Sequence, residues 1–192
     1  MSQRRVLPDL LVALALLALT LLAYHRLAFS DWIMARGDTF SYHYPYWQIR
    51  AEAFRAGRLP LWTPDLFMGA PLLANPQIGT FYPPNWLVAP LDPPDAVRVS
   101  AIGHVFWAAL GAYLLARRAL GVGRPAALIG AVGFALGGHL GAHVEQINQL
   151  QGVGLAALAA GVVGCKPHPT RFARHSTGEP SPLPPLGRGG PG

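Results

Sequence analysis

The chain has nine acidic residues in 192, so each can be asked what it does. Asp38 is the one placed for chemistry. It follows Gly37 and precedes Thr39-Phe-Ser-Tyr-His-Tyr-Pro-Tyr46, a run of rings with His43 among them. A carboxylate in such surroundings can take a proton from an attacking hydroxyl. The competing reading is that it caps the helix that follows. Asp65, Asp92 and Asp95 stand beside prolines and read as turn residues. Asp9 lies near the start of the first apolar run, where helix-end capping or solvation accounts for it. His139 and His143 are four apart and share a helix face. With Glu145 they could bind a metal, or they could serve as hydrogen-bonding groups at a helix end. Arg50 falls inside an otherwise apolar helical arc, where a cation must snorkel or find an anion, a lipid or substrate phosphate among them.

The elements that must position these groups are apolar. The sequence is 52% hydrophobic and 12% charged, with mean hydropathy +0.30. A soluble domain usually carries about 25% charged residues. One cysteine, Cys165, excludes a disulfide scaffold. Three long apolar runs, at about residues 10–29, 99–120 and 125–142, predict membrane helices, since about 20 residues span a bilayer core. Leu27-Ala-Phe-Ser30 is a poor cleavage site, so the first run reads as an uncleaved helix and not a signal peptide. Gly133 and Gly137 in the third run form a small-xxx-small pair suited to helix packing in lipid. A fourth run, Gly152 to Gly164, could begin a partial fourth span. No strand precedes the glycine-rich run, so it is no nucleotide-binding loop.

Arginines orient these helices. Arg4 and Arg5 precede the first, and Arg117, Arg118 and Arg124 lie between the second and third. Positive residues flank cytoplasmic ends. The N-terminus is therefore expected inside and the loop 30–98 outside, in a multi-pass protein. Residues 1–160 would form one membrane unit of all-α class. The outer loop holds twelve aromatic residues, from Trp32 to Trp86. Some would form an interfacial belt; as a cluster they suggest a surface for sugar or prenyl chain. Tyr46 to Gly57 is periodic: Tyr46, Trp47, Ile49, Ala51, Ala53 and Phe54 share a face opposite Gln48, Glu52 and Arg55. That predicts an amphipathic helix lying in the membrane plane. Beyond Gly57, prolines recur every few residues and predict an ordered, irregular covering.

The formal charge is +6 and the pI about 10.1. Residues 161–192 contribute half of that charge, with Lys166, Arg171, Arg174 and Arg188 against Glu179 alone. This Pro/Gly-dense stretch is expected to be a disordered tail, either a genuine linker or an out-of-frame end. The remaining excess sits at helix ends, which argues against nucleic acid as a partner.

Four motifs in order then carry a resemblance: Arg36-Gly-Asp-Thr-Phe-Ser-Tyr-His-Tyr-Pro-Tyr46, Ala56-Gly-Arg-Leu-Pro-Leu-Trp-Thr-Pro64, Pro71-Leu-Leu-Ala-Asn-Pro-Gln77 and Phe81-Tyr-Pro-Pro-Asn-Trp-Leu87. This series resembles the first outer loop of YfhO-like bacterial membrane proteins, which are similar to the GT-C glycosyltransferases. The resemblance runs from about Leu10 to Leu158. It implies a cell (inner) membrane location, a polyprenyl-phosphate sugar as donor, and Asp38 as the catalytic carboxylate. It implies substrate-binding roles for Arg36, His43, Tyr46, Arg50, Asn75, Gln77, His139, His143, Glu145 and Asn148. Many GT-C enzymes have an acidic pair in this loop. No second carboxylate adjoins Asp38 in this sequence, which gives no ground for a metal or other cofactor. Family members are several times longer, so the chain is expected to be an N-terminal piece, inactive alone. The alternative is a non-enzymatic assembly or transport subunit whose outer loop binds lipid or a partner.

Overall fold

The computed structural model describes residues 3–35 and 37–164, with side chains from Leu7 onward. Arg36 and residues 165–192 of the expected tail lie outside the described residues, while residues 161–163, expected to begin that tail, are helical. The protein is a bundle of helices: α1 (Gln3–Ala23), α2 (His25–Phe29), α3 (Tyr44–Arg55), α4 (Pro83–Val88), α5 (Pro93–Arg118), α6 (Arg124–Ala135), α7 (Gly138–Ala142) and α8 (Ile147–Val163). Two segments are long and apolar enough to cross a membrane, Pro93–Arg118 and Arg124–Ala142. Leu7–Ala23 and Ile147–Val163 are apolar but shorter.

Helix α5 is the centre. It begins as its sequence dictates: Asp92 is the extended N-cap residue, Pro93 and Pro94 fill the first positions, and Asp95 lies in the first turn. It therefore starts six residues before the predicted run. Helix α6 lays Ala127, Ala131 and Ala135, one residue per turn, into the core around α5. The fourth apolar run, expected only as a partial span, is a regular 17-residue helix, α8. It packs most closely of all on α5, because glycines remove the intervening side chains. A Cβ on Gly111 would stand 2.2 Å from the Ala157 carbonyl carbon, and one on Gly154 2.6 Å from the His104 oxygen.

The predicted small-xxx-small pair does not do this work. A Cβ on Gly133 would meet nothing within 4 Å, and one on Gly137 would meet only the Gly133 oxygen. The α6 glycines lie off the alanine stripe. The third predicted span is also interrupted. Gly137 is extended and separates α6 from α7. The first predicted span likewise breaks at Tyr24, where the His25 Nδ1 hydrogen-bonds the Leu22 carbonyl at 2.9 Å.

Two polar clusters at one end fix the helix directions. Asp9 Oδ1 accepts from the Tyr113 hydroxyl at 2.7 Å and from Arg124 Nε at 2.9 Å, with Arg117 at 4.0 Å. Arg118 Nη1 donates to the Gly161 and Val162 carbonyls, at 3.4 and 3.2 Å, at the end of α8. The start of α1 and the 117–124 link thus share one end of the bundle. Asp9, expected only to cap or be solvated, is the acidic hub of that end.

The long loop covers the opposite end. Helix α3 is sandwiched between the bundle, which it enters with Trp47, and a small outer core of Tyr46, Leu72 and Ile78. Glu52 and Arg55 face out as the periodicity predicts. The apolar face is thus covered by protein, whereas a helix lying in the membrane plane would offer it to lipid. Beyond it, a two-residue ladder pairs Trp62 with Pro71 and Thr63 with Ala70. A 3-10 turn at Pro76–Ile78 follows, and α4 starts on Pro83-Pro84, where missing N–H groups cost nothing.

Candidate functional site

Asp38 lies on the turn that enters a single π-helical stretch, Thr39–His43. Gly37 has φ +54°, which only glycine adopts without strain. The turn is held by a segment far away in the sequence: the Thr39 hydroxyl donates to the Glu145 carbonyl at 3.1 Å. A Cβ on Gly37 would come within 3.3 Å of Glu145 Oε2. A second carboxylate therefore reaches the residue before Asp38, supplied by the α7–α8 link. The Asp38 side chain is exposed and makes no capping hydrogen bond, so helix capping does not explain it.

His43, Trp47 and Arg50 follow on the inner face of the next turns. His43 is 3% exposed and its ring meets Trp47 edge-on at 6.3 Å. Burial pushes the His43 imidazole below its ordinary pKa; the Asp38 charge opposes this and the Arg50 charge adds to it. Arg50 is 1% exposed. Its guanidinium lies 4.2 Å from the Trp47 ring centroid and Nη1 donates to the Ile78 carbonyl. Burial brings its pKa down to about 10. Arg50 does not snorkel, because the outer core closes over it, and it has no carboxylate partner among the described residues. His43 Nδ1, Trp47 Nε1 and Arg50 Nε are all buried without a hydrogen-bond partner among the described residues.

The remaining sequence candidates divide. Tyr46 stacks on Tyr42 at 4.3 Å. Asn75 is structural: it caps the 3-10 turn by accepting from the Gln77 amide at 3.0 Å, and its Nδ2 donates to the Tyr42 hydroxyl. Gln77 is exposed and Asn148 half-buried. His139 and His143 pair with each other, ring centroids 4.5 Å apart, with His143 Nδ1 bonded to the His139 carbonyl at 2.7 Å. Among the described residues no three His, Cys, Asp or Glu side chains converge as a metal site would require.

A buried polar chain was missed in the sequence. Gln151 Nε2 on α8 donates to Asn85 Oδ1 at 2.8 Å and to the Ser100 hydroxyl at 3.0 Å. His104 Nδ1 lies 2.6 Å from the Ser100 carbonyl, so that nitrogen carries the proton and Nε2 accepts from the Tyr82 hydroxyl at 2.7 Å. Asn85 also donates to the Gly79 carbonyl at 3.0 Å. The chain joins the outer loop to α5 and α8. Its signal was present: Ser100 and His104, four apart, inside an uncharged run. Comparison with protein-family models, with curated proteins and with solved structures gives no match.

Proposed function

We propose that this chain is a membrane glycosyltransferase-like protein, whose outer loop handles a polyprenyl-phosphate sugar at the surface of a bacterial cell membrane. The observation that carries this reading is the turn bearing Asp38, which is exposed and yet fastened through Thr39 to Glu145, more than a hundred residues on in the sequence. A carboxylate on a turn held by a segment distant in sequence, with no hydrogen bond of its own among the described residues, is available to a substrate. In the reaction, the acceptor hydroxyl oxygen bonds to the anomeric carbon while its proton passes to Asp38. The bond from that carbon to the phosphate oxygen breaks, and the phosphate leaves with the electron pair. Arg50 contributes through its field: a buried cation not neutralised by any described carboxylate favours an anion nearby.

The membrane reading draws on the two apolar segments and on the arginines gathered at one bundle end, which the positive-inside rule makes cytoplasmic. The N-terminus is then inside, and Asp38 outside. The test uses the chain reconstituted in vesicles with a radiolabelled polyprenyl-phosphate sugar. Binding of the donor is expected, weakened by Arg50→Met while insertion is unchanged; where the vesicles also show transfer, Asp38→Asn should abolish it. No donor binding by the wild-type chain, or undiminished transfer by Asp38→Asn, overturns the proposal. The second reading, a non-enzymatic lipid- or partner-binding subunit, has its own observation. Phe67 and Met68 are 82% and 103% exposed at a loop tip, both in left-handed backbone.

A further inference from the structure

The C-terminal end of α3 builds a second feature, away from Asp38. Helix α3 stops in a Schellman turn: the Gly57 amide bonds the Phe54 carbonyl and the Arg58 amide the Ala53 carbonyl, both at 3.0 Å. Gly57, at φ +67°, makes that turn possible. The turn fixes Arg58 at the mouth of a cleft of about 710 Å³, walled by Phe54, Phe81 and Trp86, with Arg55, Arg58 and Thr80 as its side-chain polar groups. That volume is within the range of sites for small-molecule ligands, enough for part of a larger amphiphile. Among the described residues, no acidic one lines it.

The two arginines differ. Arg55 is occupied: it donates to the Pro90 and Leu91 carbonyls at 3.2 and 3.3 Å and stands 3.9 Å from Asp92. Arg58 is exposed and has no hydrogen-bond or ion-pair partner among the described residues. Thr80 gives an independent sign. It is 4% exposed, and its hydroxyl is buried with no partner among the described residues. The Trp86 indole takes the Thr80 carbonyl at 2.7 Å, leaving the hydroxyl unserved. A buried hydroxyl without a partner is unfavourable, and Thr80 lines the cleft, so a ligand that draws the hydroxyl to the cleft wall by a change of χ1 rotamer would serve it.

Height completes the argument. Helix α5 has 26 residues, about 39 Å at 1.5 Å each, against a hydrocarbon core of about 30 Å. Its charged first turns, with Asp95 and Arg98, belong in the headgroup layer. The cleft includes Pro90, three residues before α5 begins, so on the membrane reading it falls in the layer of lipid phosphates.

We propose that this cleft binds an anionic phospholipid of the surrounding bilayer, its phosphate on Arg58 and Thr80 and its upper acyl segment against Phe54, Phe81 and Trp86. The site depends on the membrane reading and not on sugar transfer. The test is native mass spectrometry and thermal melting of the purified, delipidated chain in detergent. The probes are phosphatidylglycerol, phosphatidylcholine and inorganic phosphate. Phosphatidylglycerol is expected to be retained and to raise the melting midpoint. Arg58→Gln, an exposed change, should weaken that binding roughly five- to tenfold. Thr80→Val keeps the volume. It should raise the midpoint of the lipid-free protein, by removing the unserved hydroxyl, yet shrink the further rise that lipid brings. Equal retention of phosphatidylcholine, capture of inorganic phosphate alone, or unchanged binding by Arg58→Gln would each overturn the proposal. So would a Thr80→Val protein that lipid stabilises as much as wild type.

Discussion

Replacing Gly111 by alanine adds one methyl group, and the structure states where it goes. The new Cβ would lie 2.2 Å from the Ala157 carbonyl carbon and 2.3 Å from both the Ala157 oxygen and the Leu158 nitrogen. Ordinary contact begins at 3.4 Å, so α8 must retreat by more than 1 Å. The obstruction is backbone, and no rotamer change relieves it. The retreat would loosen Ile147 and Leu150 in the core and stretch the 3.0 Å bond from Gln151 to Ser100. Overpacking of this kind costs about 1–3 kcal/mol, while alanine returns up to about 1 kcal/mol of helix propensity. A net destabilisation of about 1–2 kcal/mol is expected.

Gly133→Ala is the internal control. Its Cβ meets nothing within 4 Å, so only the propensity gain remains, and stability should hold or rise by up to about 1 kcal/mol. The two variants make the same chemical change in the same kind of helix and should move in opposite directions. Circular-dichroism melts in one detergent, read as midpoint differences of a few degrees, settle the matter. If Gly111→Ala melts with or above Gly133→Ala, the close crossing of α5 on α8 is wrong. Gly161→Ala extends the series, since its Cβ would lie 2.5 Å from the Gly111 oxygen.

Other perturbations separate folding from function. Arg50→Met replaces a buried cation lacking a carboxylate partner with an apolar chain of similar reach; stability in chemical unfolding should stay within about 1 kcal/mol or improve, while donor binding weakens. A loss of several kcal/mol would show that Arg50 is structural. The His43 imidazole has a folded pKa below its ordinary 6.5, so the unfolded chain binds more protons on acidification. Its contribution is intact above about pH 6.5 and is lost as pH falls below that value; His43→Phe should flatten this part of the stability–pH curve, and an unchanged slope would contradict the burial. Gln151→Leu strips the donor shared by Asn85 and Ser100, leaving buried acceptors unserved at about 1–3 kcal/mol. Limited proteolysis should then cut residues 59–91 faster, and equal cutting would show that the polar chain does not hold the loop.

The parts legible in the sequence were those governed by local rules. Hydropathy located the apolar runs, though helix limits moved wherever proline and aspartate could start a helix, as at Asp92-Pro93-Pro94. The arginine pattern placed the start of α1 beside the 117–124 link, and Asp9 joins them through Arg124. What stayed hidden depends on which segment lies opposite. A glycine's spacing says that a backbone approach is possible, not that a partner exists. Gly133 and Gly137 satisfied the pattern without a neighbouring helix, while Gly111, Gly154 and Gly161 met one. The same holds for Glu145, whose relation to Asp38 spans more than a hundred residues and leaves no local trace. Polar residues inside apolar runs are different, because their cost in an apolar setting demands a partner somewhere. Ser100, His104 and Gln151 each carried that demand. Matching them with one another, and with the Asn85 and Tyr82 that flank the prolines of the loop, would have pointed to the loop folding back on α5 and α8. In an apolar bundle, the unexplained polar side chain is therefore a better guide to tertiary contact than the small-residue motif.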